Sequence, residues 1–76
     1  MKLSSKKRSE MSNLWFCSTL RMSQPNLVIK YTEQGNCCYF TIGIYSFNSI
    51  TGVDHIDPLP EMEKLSYSET LALLTK

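Results

Sequence analysis

Two runs of alternating apolar and polar residues, 27–33 and 37–47, stand on either side of the tripeptide Gln34-Gly35-Asn36. Alternation places successive side chains on opposite faces of a strand. A short connection with a glycine free to take positive φ folds two such runs back into a hairpin. In the first run Leu27, Ile29 and Tyr31 oppose Val28, Lys30 and Thr32. In the second, Cys38, Phe40, Ile42 and Ile44 oppose Cys37, Tyr39, Thr41, Gly43 and Tyr45. The β-branched and aromatic content of the second run favours strand over helix.

A third alternating run precedes these. Over residues 13–22, Leu14, Phe16, Ser18, Leu20 and Met22 fall on one side and Trp15, Cys17, Thr19 and Arg21 on the other. This predicts a first strand, ended by the turn formers Ser23-Gln24-Pro25-Asn26. Residues 48–60, with Ser49, Gly52, Asp54, Asp57, Pro58 and Pro60, read as a loop anchored to the core by Ile50 and Val53. After one loose turn over residues 61–65, Ser66-Tyr67-Ser68-Glu69 has the spacing of a capping box and opens a helix over 67–75. Its core stripe is Tyr67, Leu71 and Leu74. The expected fold is α+β: a three-stranded antiparallel meander (13–22, 27–33, 37–47) with a short C-terminal helix on one face.

The chain has 76 residues, which bounds it to one small domain. Residues 1–12, charged and serine-rich without apolar period, read as a flexible basic arm before a domain spanning 13–76. The net charge of +1 is a sum of unlike parts. Residues 1–10 contribute +3, the last 23 residues contribute −3, and Arg21, Lys30 and Glu33 supply the rest. Such cancellation argues against a dedicated polyanion binder.

The opening stretch has a basic start and a later apolar patch, but Glu10, Ser12 and Asn13 interrupt what would be the apolar region of a signal peptide. Residues 34–53 carry no charge, yet they hold too many polar side chains for a membrane span. The three cysteines, Cys17, Cys37 and Cys38, cannot form a complete disulfide set. A cytoplasmic chain with three buried or half-buried thiols and no membrane contact is expected.

Residues that could carry chemistry are few. Cys37 and Cys38 are neighbours on a strand and point apart, and His55 is the one histidine, so no four-ligand metal site is expected. Pairing Cys17 or Cys38 with His55 gives a formal nucleophile and base without any surrounding motif. Asp54 and Asp57 beside His55 suit turn positions equally well. Lys6-Lys7-Arg8 is shorter than a nucleic-acid or targeting patch. The acids from Asp54 to Glu69 are too sparse for a nucleic-acid mimic. No catalysis and no cofactor are expected.

The faces of the predicted sheet carry the functional expectation. The terminal helix can cover only one of them. The other would gather Trp15, Arg21, Lys30, Tyr39 and Tyr45, residue types enriched at binding hot spots. These five are the expected partner-binding residues of a small non-enzymatic module. It would act on a larger protein as an accessory inhibitor or adaptor, of the kind phages and mobile elements encode, or would self-associate. The alternative is single-stranded nucleic acid, with bases stacked on the aromatics and phosphates met by Lys6, Lys7 and Arg8.

Overall fold

The computed structural model describes residues 3–75. It is an α+β fold in which helices cover one face of a three-stranded antiparallel sheet of order β1-β2-β3. Helix α1 (Ser5–Cys17) and the single turn α2 (Thr19–Met22) come first. Strands β1 (Leu27–Gln34), β2 (Cys37–Asn48) and β3 (Val53–Pro58) follow, and helix α3 (Tyr67–Leu74) closes the chain.

The β1–β2 hairpin pairs Leu27 with Ile44 through to Gln34 with Cys37. Gly35, at φ +61°, supplies the positive φ that a two-residue turn of type II′ needs at its first central position. The register brings Leu27, Ile29, Tyr31, Phe40, Ile42 and Ile44 to one face, as the alternation predicts. Ile42 is fully buried there and Phe40 nearly so, in a core shared with Met11, Leu27, Leu65 and Leu74. The capping box of α3 is present in both directions. Ser66 Oγ accepts the Glu69 N–H at 3.1 Å, and Glu69 Oε1 accepts the Ser66 N–H at 3.0 Å. The inner face of α3 also holds Thr70, fully buried, whose hydroxyl donates to the Ser66 carbonyl at 2.8 Å.

Two elements differ from expectation. Residues 13–22 are helical, and the helix begins well upstream, inside the stretch read as an arm. Ser4 caps it, its hydroxyl accepting the Lys7 N–H at 3.3 Å. Met11, Leu14, Trp15 and Ser18 recur at the helical spacing i, i+3, i+4, i+7, and all four are buried or half-buried. In a helix the alternation over 13–22 has no structural meaning, so Phe16, expected in the core, is 71 % exposed. Of the expected arm, residues 5–12 belong to α1, and Met1 and Lys2 lie outside the described residues. Ser18 breaks the helix in extended conformation. Its N–H donates to the Trp15 carbonyl and its hydroxyl caps α2 by accepting the Leu20 N–H at 3.0 Å.

The third strand is β3, within the stretch read as a loop. It pairs with β2 from Asn48↔Val53 to Gly43↔Pro58. The Asn48 side chain accepts the N–H groups of Ile50 and Thr51, and Gly52, at φ +72°, closes the turn. Ile50 and Val53 do not anchor it. They are 93 % and 58 % exposed, because this end of the hairpin extends past the helices. Beyond β3 the chain stays beside β2. Leu59 N–H donates to the Ile42 carbonyl, Ile42 N–H to the Met62 carbonyl, and Phe40 and Leu65 bond each other. Residues 59–65 thus occupy the side of β2 that β3 leaves free.

Candidate functional site: an open sheet face

The face opposite the helices carries Lys30 and Thr32 from β1, Tyr39, Thr41 and Tyr45 from β2, and Asp54 and Ile56 from β3. Glu63 and Lys64, from the segment after β3, border it, as does His55, to enclose a concave groove of about 550 Å³. No helix contributes to this lining. The position of Lys64 follows from the backbone. Its N–H donates to Thr41 Oγ1 at 3.5 Å and its own φ is +56°. A non-glycine residue held there is strained, as are Asn26 and Glu61 outside the groove.

Two contacts fix the tyrosines. Tyr45 Oη donates to Asp54 Oδ1 at 2.9 Å, which binds the rings of β2 to β3. That hydrogen bond, with burial and the Asp54 charge as smaller effects, holds the Tyr45 hydroxyl above its ordinary pKa. Lys64 Nζ stands 5.8 Å from the centre of the Tyr39 ring, within cation–π range. Charge in the groove is mixed. Lys30 and Lys64 are set against Asp54 and Glu63.

Of the five expected partner-binding residues, the structure brings together Lys30, Tyr39 and Tyr45. Trp15 and Arg21 lie elsewhere, because the helix places them at the α1–α2 elbow. There Trp15 packs against the core, while the Arg21 guanidinium lies 4.7 Å over the Phe16 ring and its Nε donates to the Phe16 carbonyl at 3.0 Å. Lys6, Lys7 and Arg8 ride on α1. Lys7 lies over the Tyr67 ring of α3 at 5.5 Å and Arg8 over the Tyr31 ring at 5.6 Å, so this cluster is on the helical side of the sheet. The aromatic face and the basic cluster are therefore separated by the sheet itself.

Sequence reasoning missed Asp54, Ile56, Glu63 and Lys64 in the groove. A signal existed for the first two. Asn48 four residues before Gly52 is a turn pattern, and Pro58 is tolerated on an edge strand.

Cys17 and Cys37 are exposed and Cys38 is half-buried, and no disulfide joins them, so only Cys38 has the burial expected of the three. Among the described residues no three His, Cys, Asp or Glu side chains converge on a possible metal position, and no helix is long and apolar enough to cross a membrane. No protein-family model, curated protein or solved structure matches the chain.

Proposed function

We propose that this protein is a small non-enzymatic binding module whose open sheet face engages a larger protein, as an accessory inhibitor or adaptor in the cytoplasm. The observation that carries this reading is the composition of the groove. Two tyrosines, one oriented by Asp54 and one under Lys64, stand in a concavity with balanced charge. Oriented tyrosines lose little conformational entropy on binding and bury a large amphipathic surface. Paired cations and carboxylates give register against a protein surface of mixed charge.

The same composition disfavours single-stranded nucleic acid. Phosphates following the tyrosines would meet Asp54 and Glu63, and the basic cluster of α1 is on the other side of the sheet.

The test is affinity capture from the native host with the wild-type chain and with the Tyr39→Ala/Tyr45→Ala variant, read by mass spectrometry. Circular dichroism checks that both are folded. A protein retained by the wild type and lost by the variant is expected, the affinity falling at least about 30-fold if either ring is a hot spot. Identical captured sets would overturn the reading. A labelled single-stranded oligonucleotide that shifts at low salt and is released by added salt would replace it with the nucleic-acid alternative.

A further inference from the structure

The sheet has two outer edges, and they are built differently. The β3 edge is six residues long and carries Asp54, Asp57 and Pro58, all features that discourage edge-to-edge pairing. The β1 edge is eight residues long, has no proline, and holds one charged side chain, Lys30, over residues 27–32. Its outward groups can be identified. Tyr45 N–H donates to the Asn26 carbonyl, so in the ladder Asn26, Val28, Lys30 and Thr32 bond toward β2. The N–H and C=O groups of Leu27, Ile29 and Tyr31 therefore face outward, and among the described residues no backbone group bonds to them. The core beneath is incompletely filled. A crevice of about 240 Å³ opens among Arg8, Met11, Ser12, Ile29, Tyr31 and Phe40.

We propose that β1 pairs antiparallel with β1 of a second copy, about a two-fold axis through Ile29, to make one six-stranded sheet. The register follows from which groups face outward and from charge. Only outward-facing residues can pair with each other across the axis, which leaves few choices. An axis at Lys30 would set Lys30 against itself, and like charges directly opposite destabilise a sheet. An axis at Tyr31 would set Glu33 against Ile29 on the core face. An axis at Val28 would set Tyr31 against Pro25, which has no N–H to donate, and would keep fewer bonds. The axis at Ile29 avoids all three. On the core face Leu27 then meets Tyr31 of the second copy and Ile29 meets Ile29, so the apolar stripe runs on unbroken beside the crevice. On the open face Val28 meets Lys30 of the second copy. Three residue pairs exchange six backbone hydrogen bonds, and such an isologous contact closes on itself. This pairing uses the sheet edge, not the open face, and does not depend on the reading above. It would set the two grooves on the same side of one continuous sheet.

The test is the mass of the full chain in solution by sedimentation equilibrium. Twice the chain mass of 8.7 kDa is expected at high micromolar concentration. Val28→Lys places lysine against Lys30 of the second copy and is expected to give a folded monomer. Adding Lys30→Glu to it turns the repulsion into attraction and is expected to restore the dimer. A wild-type chain that stays monomeric, a dimeric Val28→Lys variant, or a folded double variant that stays monomeric would each overturn the proposal. Hydrogen exchange on the wild type needs no variant. The amides of Ile29 and Tyr31 should be protected at high concentration and lose protection on dilution. Protection that does not change with concentration would also overturn it.

Discussion

Phe40 and Leu65 exchange both of their backbone hydrogen bonds, at 2.8 and 2.7 Å, although 25 positions separate them in the chain. This contact joins the centre of β2 to the residue just before the cap of α3. Both side chains are in the core, and the intervening Glu63 and Lys64 are thereby carried to the rim of the groove. A single pairing thus connects the buried side of the sheet to its open side.

Leu65→Ala removes a nearly buried side chain from this junction. A loss of about 2–5 kcal/mol is expected, measured as a lower urea midpoint with unchanged slope. An effect under about 1 kcal/mol would mean that the junction is held by the backbone alone.

Gly43→Ala tests how closely β3 approaches. A Cβ at Gly43 would come within 2.4 Å of the Asp57 carbonyl oxygen, a backbone atom with no room to yield. Strand β3 must move away from β2 at that point, and a destabilisation of about 1–3 kcal/mol is expected in chemical denaturation. A wild-type midpoint would show that β3 is not seated as described.

The Glu69 carboxylate is held below its ordinary pKa, first by the Ser66 backbone N–H and then by the Ser66 hydroxyl. A lowered native pKa means that the unfolded chain binds the proton more readily. The associated stability is complete above the ordinary glutamate value and is lost as pH falls through the lowered native one. Glu69→Gln should flatten the acid limb of a melting-temperature profile without raising it. Ser66→Ala should cost about 0.5–2 kcal/mol at neutral pH through loss of the cap. An acid limb unchanged in Glu69→Gln would place the acid sensitivity elsewhere.

Tyr45 donates to Asp54, and this hydrogen bond is the first cause of its raised pKa. Ultraviolet titration of the wild type should therefore show one tyrosine ionising later than it does in Asp54→Ala. Because its native pKa is raised, the stability it contributes is present below the ordinary tyrosine value and lost as pH rises through the native one. Superimposable titrations of the two proteins would remove Asp54 as the cause.

The β1–β2 hairpin and the α3 cap were legible in the sequence because both depend on neighbours along the chain. Alternation around Gly35 and the Ser66–Glu69 spacing state their own geometry. The alternation over 13–22 was ambiguous, since Leu14 and Ser18 share a face in a strand and also on a helix. What decides for the helix is Met11 reaching the core from a stretch that looks featureless, together with the Ser4 cap. Strand β3 was hidden because its two large apolar residues, Val53 and Ile56, fall on opposite faces and so show no alternation. For the groove, Tyr39, Tyr45 and Lys30 followed from the strand pattern. Glu63 and Lys64 did not, because their place depends on the long-range pairing at Leu65.

The ladders of the sheet join only strands that follow one another, through turns of two and four residues. Each hairpin can therefore close before any distant part of the chain arrives, and little loop entropy must be overcome to start the sheet. Folding should begin at the Gly35 turn and reach the millisecond range or faster, as local topologies do. The closing of Leu65 onto Phe40, across 25 positions, should follow the hairpins, so the rim of the groove would acquire its shape later than the sheet that carries it.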